Sequence, residues 1–66
     1  MEEIINELKR RRIAAGVTIC EVARRMGTHR EKISEIENGH IGLTLKRMLA
    51  YADALGLKVT IKFEER

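Results

Sequence analysis

The sequence predicts an all-α fold, a compact bundle of four to five short helices over residues 1–56, followed by one β-strand over residues 57–63. Three observations lead to this prediction. Apolar residues recur three and four positions apart through most of the chain, which is the spacing of one helical face. Glycines follow these apolar runs, where helices commonly end. After Gly56 the period changes to two, which indicates a strand with one apolar face.

Composition places the chain among small single domains, here residues 1–66. It has 66 residues, 44% of them hydrophobic, and a formal net charge of +3. A core of this size is marginal, and such chains often dimerise. No apolar run approaches the roughly 18 residues that cross a bilayer, and the acidic start does not resemble a signal peptide. The single cysteine excludes an internal disulfide, which fits a reducing cytoplasm. Together with the absence of a long apolar run, this leads us to expect a cytoplasmic protein without membrane contact.

A first helix is expected over residues 2–15, with an apolar stripe that contains one charged residue. The stripe consists of Ile4, Ile5, Leu8, Arg12 and Ala15. Basic residues follow in the second half of this helix and around the next turn: Lys9, Arg10, Arg11, Arg12, Arg24, Arg25, Arg30 and Lys32. Such a patch attracts phosphate regardless of sequence, and a merely solvated helical face is the alternative.

Two short amphipathic helices around a tight turn are predicted between Val17 and Gly39. Thr18 is placed to cap the first, whose apolar face consists of Ile19, Val22, Ala23 and Met26. Gly27 ends this helix because the reversal favours a positive φ. Thr28 and Glu31 have the spacing of a capping box for the second helix.

The second of these helices is expected to bury only Ile33 and Ile36. Its remaining residues face outward: His29, Arg30, Glu31, Lys32, Ser34 and Glu35. A polar helix held by a thin apolar strip is typical of a helix-turn-helix, whose second helix enters the DNA major groove.

The stretch also contains a recurrent pattern, which consists of Ala23, Gly27, Ile33, Ser34 and the run Ile36-Glu37-Asn38-Gly39. With this pattern it resembles the Cro/C1-type (XRE) helix-turn-helix proteins, and the resemblance extends from about Leu8 to Phe63. It implies a lambda-repressor-like bundle, with base-reading positions at His29, Arg30, Glu31 and Glu35. Two acidic residues on that face depart from the family pattern, as does Ile19, where the family usually has a glutamine.

The resemblance also implies an ion pair between Arg12 and Glu37. A charge near the core has to be paired, because removing one partner of a buried pair costs about 3–5 kcal/mol. The alternative is an exposed Arg12 that contacts only phosphate.

Phosphate contacts are expected where helices begin, because free backbone amides there attract anions. Thr44 is expected to cap a helix with Leu45, Met48, Leu49, Ala52 and Leu55 on its buried face and Tyr51 packed at its edge. The candidate phosphate contacts are Thr18, Ile19, Cys20, Lys32, His40, Thr44 and Lys46.

The tail is predicted to be a dimerisation strand. Leu57, Val59, Ile61 and Phe63 alternate with polar residues. An unpaired apolar edge is an aggregation hazard, so two copies pairing antiparallel is the economical solution. The tail resembles that of small HipB/HigA-like antitoxins, where such strands form an intersubunit sheet. The alternatives are a strand packed on its own bundle and a disordered end.

Catalysis, a cofactor and a metal are not expected. Cys20, His29 and His40 lack the spacing of a zinc site or a catalytic constellation, and Cys20 fits a helix–helix contact. We therefore expect a transcriptional repressor that binds double-stranded DNA at an inverted-repeat operator as a homodimer. An antitoxin with a toxin protein as partner is the narrower interpretation. A protein-interaction adaptor with the same fold is the alternative.

Overall fold

Four helices make up the bundle. The computed structural model describes residues 2–65, and within them the chain forms α1 (Glu2–Ala14), α2 (Ile19–Met26), α3 (Arg30–Glu37) and α4 (Leu45–Ala54). Four helices agree with the lower of the two predicted numbers. None of the helices in this described part is long and apolar enough to cross a membrane.

Threonine side chains cap the N-termini of α2 and α4, as predicted. The Thr18 hydroxyl accepts the Glu21 amide at 3.0 Å, and the Thr44 hydroxyl accepts the Arg47 amide at 3.1 Å. Each bond satisfies one of the amides that a helix start leaves without an internal partner.

The start of α3 is different, and the predicted capping box of Thr28 and Glu31 is wrong. The N-cap of α3 is His29, which makes no side-chain capping bond. The Thr28 amide donates to the Ala23 carbonyl at 2.9 Å. Thr28 therefore closes the end of α2 and lies one residue too early to cap α3.

Gly27 makes the turn between α2 and α3. Its φ of 72° lies in the left-handed region, which residues with a Cβ enter only at a cost. A Cβ at this position would meet nothing within 4 Å. The conformation, and not lack of space, is therefore what favours glycine here.

The core lies between α2, α3 and α4, with α1 packed against it. Its largest fully buried side chains are Tyr51, Ile33, Ile36 and Val22. Within α1, Ile5, Leu8 and Arg12 are buried, whereas Ile4, which was predicted to belong to the same stripe, is 39% exposed. Ala15 lies beyond the last helical residue and is exposed.

The buried face of α4 differs from the prediction. Leu45 and Leu49 are 54% and 42% exposed, whereas Tyr51 and Ala52 are each 1% exposed. Met48 and Leu55 are partly buried against the core. Two overlapping stripes at helical spacing exist in this helix, and the one that contains the large Tyr51 ring faces inward.

The predicted β-strand over residues 57–63 is not seen. Residues 57–65 have no regular secondary structure, although Leu57 and Val59 pack against the core. Ile61 and Phe63 are 53% and 93% exposed. A strand is defined by its hydrogen-bonded ladder, and within residues 2–65 of one chain no second strand is available to pair with the tail.

Candidate nucleic-acid interface

The outer face of α3 is polar and accessible. His29, Arg30, Glu31 and Glu35 are exposed, and Lys32 and Ser34 are partly exposed. On the opposite side of the helix, Ile33 and Ile36 are 0% and 2% exposed. All four predicted base-reading residues are therefore exposed, and two buried isoleucines hold α3 against the bundle.

The charges on this face are largely unpaired. His29 Nδ1 lies 3.4 Å from Glu31 Oε2, and both side chains are about 70% exposed. In the described residues, no ion pair forms between the two acidic residues and Arg30 or Lys32. The Arg30 guanidinium therefore has all its donors available for a ligand, which is the condition for bidentate recognition of a base edge or a phosphate.

The inner end of α3 lies in a buried polar network. Arg12 Nε donates to Glu37 Oε2 at 2.8 Å, and Arg12 Nη2 donates to Glu37 Oε1 at 3.1 Å. The Tyr51 hydroxyl donates to the same Oε2. Arg12 and Glu37 are 8% and 9% exposed. The alternative of an exposed Arg12 that contacts phosphate is therefore wrong, and this arginine does not belong to the basic surface.

This network connects α3 to the rest of the bundle. Arg12 Nη1 also donates to the Val17 carbonyl at 2.9 Å, so one guanidinium connects α1, the start of the helix-turn-helix and α3. Tyr51 adds α4. The hydrogen bond to Glu37 raises the pKa of Arg12, and burial, reinforced by the same carboxylate, raises the pKa of Tyr51. Both groups keep their protons throughout the physiological range, so the network is fixed.

The predicted phosphate anchors lie at two helix starts. Thr18 and Cys20 are exposed, whereas Ile19 packs partly against the core and offers only its backbone amide. At the second start, His40, Thr44 and Lys46 are exposed. The prediction that Cys20 fills a helix–helix contact is wrong, because its side chain is exposed. Free amides at both starts can bind phosphate oxygens.

Arg47 supports the second anchor and was missed by the sequence analysis. Its Nη1 donates to the Gly42 carbonyl at 2.8 Å. This bond fixes the connection between α3 and α4 immediately before the Thr44 cap. An arginine three residues after a capping threonine is the only signal in the sequence, and it is a weak one.

The predicted basic patch is divided by local ion pairs. Glu7 binds Arg10 and Arg11, and Glu21 binds Arg24 and Arg25. These arginines lower the pKa of Glu7, and they lower the pKa of Glu21 to about 2. Four of the predicted basic residues are therefore partly neutralised within their own helices. In the described residues, the members of this patch without an ion pair are Lys9 on α1 and Arg30 and Lys32 on α3.

Arg25 also has a structural contact that the sequence analysis missed. Its Nη1 donates to the Ala54 carbonyl at 2.7 Å, at the end of α4. A cation at a helix C-terminus satisfies a free carbonyl and interacts favourably with the helix dipole. This bond connects the two sides of the bundle behind the turn.

Among the described residues, no three histidine, cysteine or acidic side chains converge where they could hold an ion. What the surface offers instead is a polar helix face with free donors and two helix starts with free amides.

Comparison with known proteins identifies the family. The family model for the helix-turn-helix domain matches residues 6–60, which include all of α2, α3 and α4 and most of α1. No curated protein and no solved structure matches the chain. The match spans far more than half of the 66 residues and includes the two helices and the turn described above. The chain therefore belongs to the helix-turn-helix domain family.

Proposed function

We propose that the protein is a sequence-specific, DNA-binding transcriptional repressor of the Cro/C1 type. The observation that carries the proposal is the contrast within α3. Its inner end is locked by Arg12, Glu37 and Tyr51, while Arg30 on its outer face has no ionic partner among residues 2–65. A rigidly held helix with free donors is suited to reading base edges in a major groove.

Base reading is assigned to the N-terminal half of α3. In this proposal, Arg30 binds guanine O6 and N7 with two parallel hydrogen bonds. Glu31 and Glu35 accept hydrogen bonds from the amino group of cytosine. Their negative charges repel phosphate, and these hydrogen bonds make binding favourable only where cytosine lies opposite them. His29 is the fourth base-reading candidate, and its Nδ1 lies 3.4 Å from Glu31 Oε2.

Phosphate contacts position α3 in the groove. They come from the backbone amides at Thr18, Ile19 and Cys20 and at Thr44, which lie at the starts of α2 and α4. Lys32, His40 and Lys46 supply side-chain contacts at the same surface. These contacts carry no sequence information and make the affinity dependent on salt.

A homodimer is part of the proposal. Two copies related by a twofold axis place their α3 helices in successive major grooves about 34–36 Å apart, so the operator is an inverted repeat. The exposed apolar residues of the tail, Ile61 and Phe63, support pairing between copies. The narrower function, an antitoxin with a toxin protein as partner, follows from the resemblance of the tail. An adjacent toxin-like reading frame would support that narrower function.

One observation favours a second candidate, a protein-interaction adaptor. Glu31 and Glu35 are exposed on the face that would approach phosphate. An acidic helix face suits a basic protein partner as well as it suits cytosine.

Selection of bound duplexes from random DNA separates the two candidates. We expect enrichment of an inverted repeat, and retention on the selected duplex that decreases as salt increases. Glu37→Gln removes the charge that pairs with Arg12 and leaves the exposed residues of α3 unchanged. It therefore shows how much binding is lost when α3 is held less firmly, without any change to the residues proposed to read bases. If the intact protein shows no salt-dependent retention of any duplex at low ionic strength, the DNA proposal fails and the adaptor takes its place.

A further inference from the structure

We propose that two copies of the chain pair their tails antiparallel in one register, with Ile61 facing Ile61 of the second copy across the twofold axis. This inference rests on the homodimer of the proposed function and adds to it the pairing of individual residues. The occupant of the exposed tail is thus a second copy of the same chain.

The side-chain environment of the tail alternates. Leu57 and Val59 are partly buried, whereas Lys58 and Thr60 between them are exposed. Ile61 and Phe63 continue the apolar series at the same period, but they extend beyond the cover of their own bundle and are 53% and 93% exposed. In an antiparallel pair, the exposed Ile61 and Phe63 of one copy would lie against the partly buried end of the apolar series in the second copy.

A groove lies beside the tail. It has a volume of about 550 Å³, and α1, α4 and the tail line it. Its apolar lining includes Ile4, Leu8, Met48, Val59 and Ile61. An aromatic ring that enters from a second copy next to Val59 would therefore meet an apolar surface that the tail itself leaves open.

The faces of the tail restrict the register. Residues directly opposite in an antiparallel pair lie on the same side of the sheet, and a slip by one residue exchanges the two faces. Apolar residues therefore face apolar residues only when the twofold axis passes through a residue and not between two residues. The central candidates for that residue are Thr60, Ile61 and Lys62.

Charge selects Ile61 among these three. An axis at Thr60 places Lys58 opposite Lys62 twice in the dimer, and an axis at Lys62 places Lys62 opposite itself. Like charges directly opposite are destabilising. An axis at Ile61 places Lys58 opposite Glu64 twice, and Thr60 opposite Lys62. It is the central register in which opposite charges face each other.

More distant registers lose contacts. An axis at Val59 brings Phe63 against Leu55 at the end of α4 of the second copy, where Gly56 with a φ of 72° turns the chain. An axis at Phe63 places Lys62 opposite Glu64, but it sets Glu65 against Ile61, next to the centre of the ladder. The axis at Ile61 sets Glu65 only against Leu57, at the outer end of the ladder. With the axis at Ile61, Phe63 faces Val59 of the second copy and lies at the groove.

Single cysteines at three adjacent positions test the register. In a Cys20→Ser background, Ile61→Cys, Thr60→Cys and Lys62→Cys each place a thiol on or beside the axis. Residues directly opposite have Cβ atoms about 4.5–5.5 Å apart and diagonal ones about 7–8 Å, too far for an unstrained disulfide. We expect Ile61→Cys to form the disulfide-linked dimer at least about tenfold faster than the other two. Fastest linkage at Thr60→Cys or Lys62→Cys overturns the register.

Charge reversal gives an independent test in the unlinked protein. Lys58→Glu and Glu64→Lys should each raise the dimer Kd about tenfold, and combining them should restore it to within about twofold. Lys9→Glu, the same change of charge on α1, is the control and should have little effect. Lys62 is unsuitable as a control, because its Nζ lies 3.6 Å from Glu64 Oε1. Tighter dimerisation of Lys58→Glu would indicate the axis at Thr60 and overturn the proposal.

The failures of this inference and of the proposed homodimer are distinguishable by sedimentation. A monomer at all concentrations overturns the homodimer and the register together. A dimer in which all three cysteines link slowly and Lys58→Glu has no effect uses another surface, which overturns the register and leaves the homodimer intact.

Discussion

The two sides of α3 differ in almost every physical respect. On the inner side, Glu37 accepts three hydrogen bonds from Arg12 and Tyr51, and Ile33 and Ile36 are buried. On the outer side, Arg30 has no ionic partner in the described residues. A single eight-residue helix thus has one side buried in the bundle and another whose polar groups are exposed. Changes inside should alter folding, and changes outside should alter binding.

The largest effect on stability is expected from the buried ion pair. Arg12→Ala and Glu37→Ala should each lower the free energy of unfolding by about 3–5 kcal/mol, because each leaves a buried charge without its partner. The double variant should cost less than the sum of the two single variants. Chemical denaturation of the four proteins measures this coupling. Strict additivity would show that the pair does not act as a unit.

Tyr51 should give a smaller effect with a distinctive pH dependence. Tyr51→Phe removes one hydrogen bond to a charged group, which costs about 1.5–3 kcal/mol. Because the folded pKa of Tyr51 lies above its ordinary value of about 10, the stabilisation is complete below that pH and is lost as pH increases beyond it.

Absorbance of the tyrosinate group measures this titration directly, since Tyr51 is the only tyrosine and the chain has no tryptophan. The wild-type free energy of unfolding should decrease above about pH 10, and the Tyr51→Phe variant should lack that part of the decrease. A normal titration of Tyr51 in the folded protein would contradict the burial of its hydroxyl.

Gly27 should give the smallest of the three effects. Gly27→Ala forces a residue with a Cβ into a φ of 72°, at a cost of about 1–2 kcal/mol. Gly42→Ala is the matched control, because Gly42 lacks a positive φ and a Cβ added there would also meet nothing within 4 Å. Thermal melts should show a lower Tm for Gly27→Ala alone. Equal losses would place the cost in loop entropy and not in the turn.

Local signals in the sequence predicted the helix-turn-helix well. Thr18, Thr44 and Gly27 act within three or four residues of their own positions, so their roles could be read from neighbouring residues. The pairing of Arg12 with Glu37 spans 25 residues and came only from the family resemblance. No spacing rule connects two such distant positions.

The predictions for the buried face of α4 and for the tail strand were wrong for equally specific reasons. Leu45, Leu49 and Tyr51 all lie on helical stripes of α4, and only packing against the other helices decides which of them is buried. In the tail, the alternation from Leu57 to Phe63 carries information about faces but none about a partner. A strand requires that partner, so one chain alone cannot form it.

The most direct test of the central claim compares Arg30→Ala with Lys32→Ala on selected and unrelated duplexes. Arg30→Ala should relax the preference at one base pair in each half-site, where bidentate contact with guanine provides about 1–3 kcal/mol. Lys32→Ala should weaken binding to all duplexes similarly and decrease the salt dependence. Both should leave the free energy of unfolding within about 0.5 kcal/mol of wild type. Unchanged base preference in Arg30→Ala, together with intact binding, would contradict the assignment of base reading to the outer face of α3.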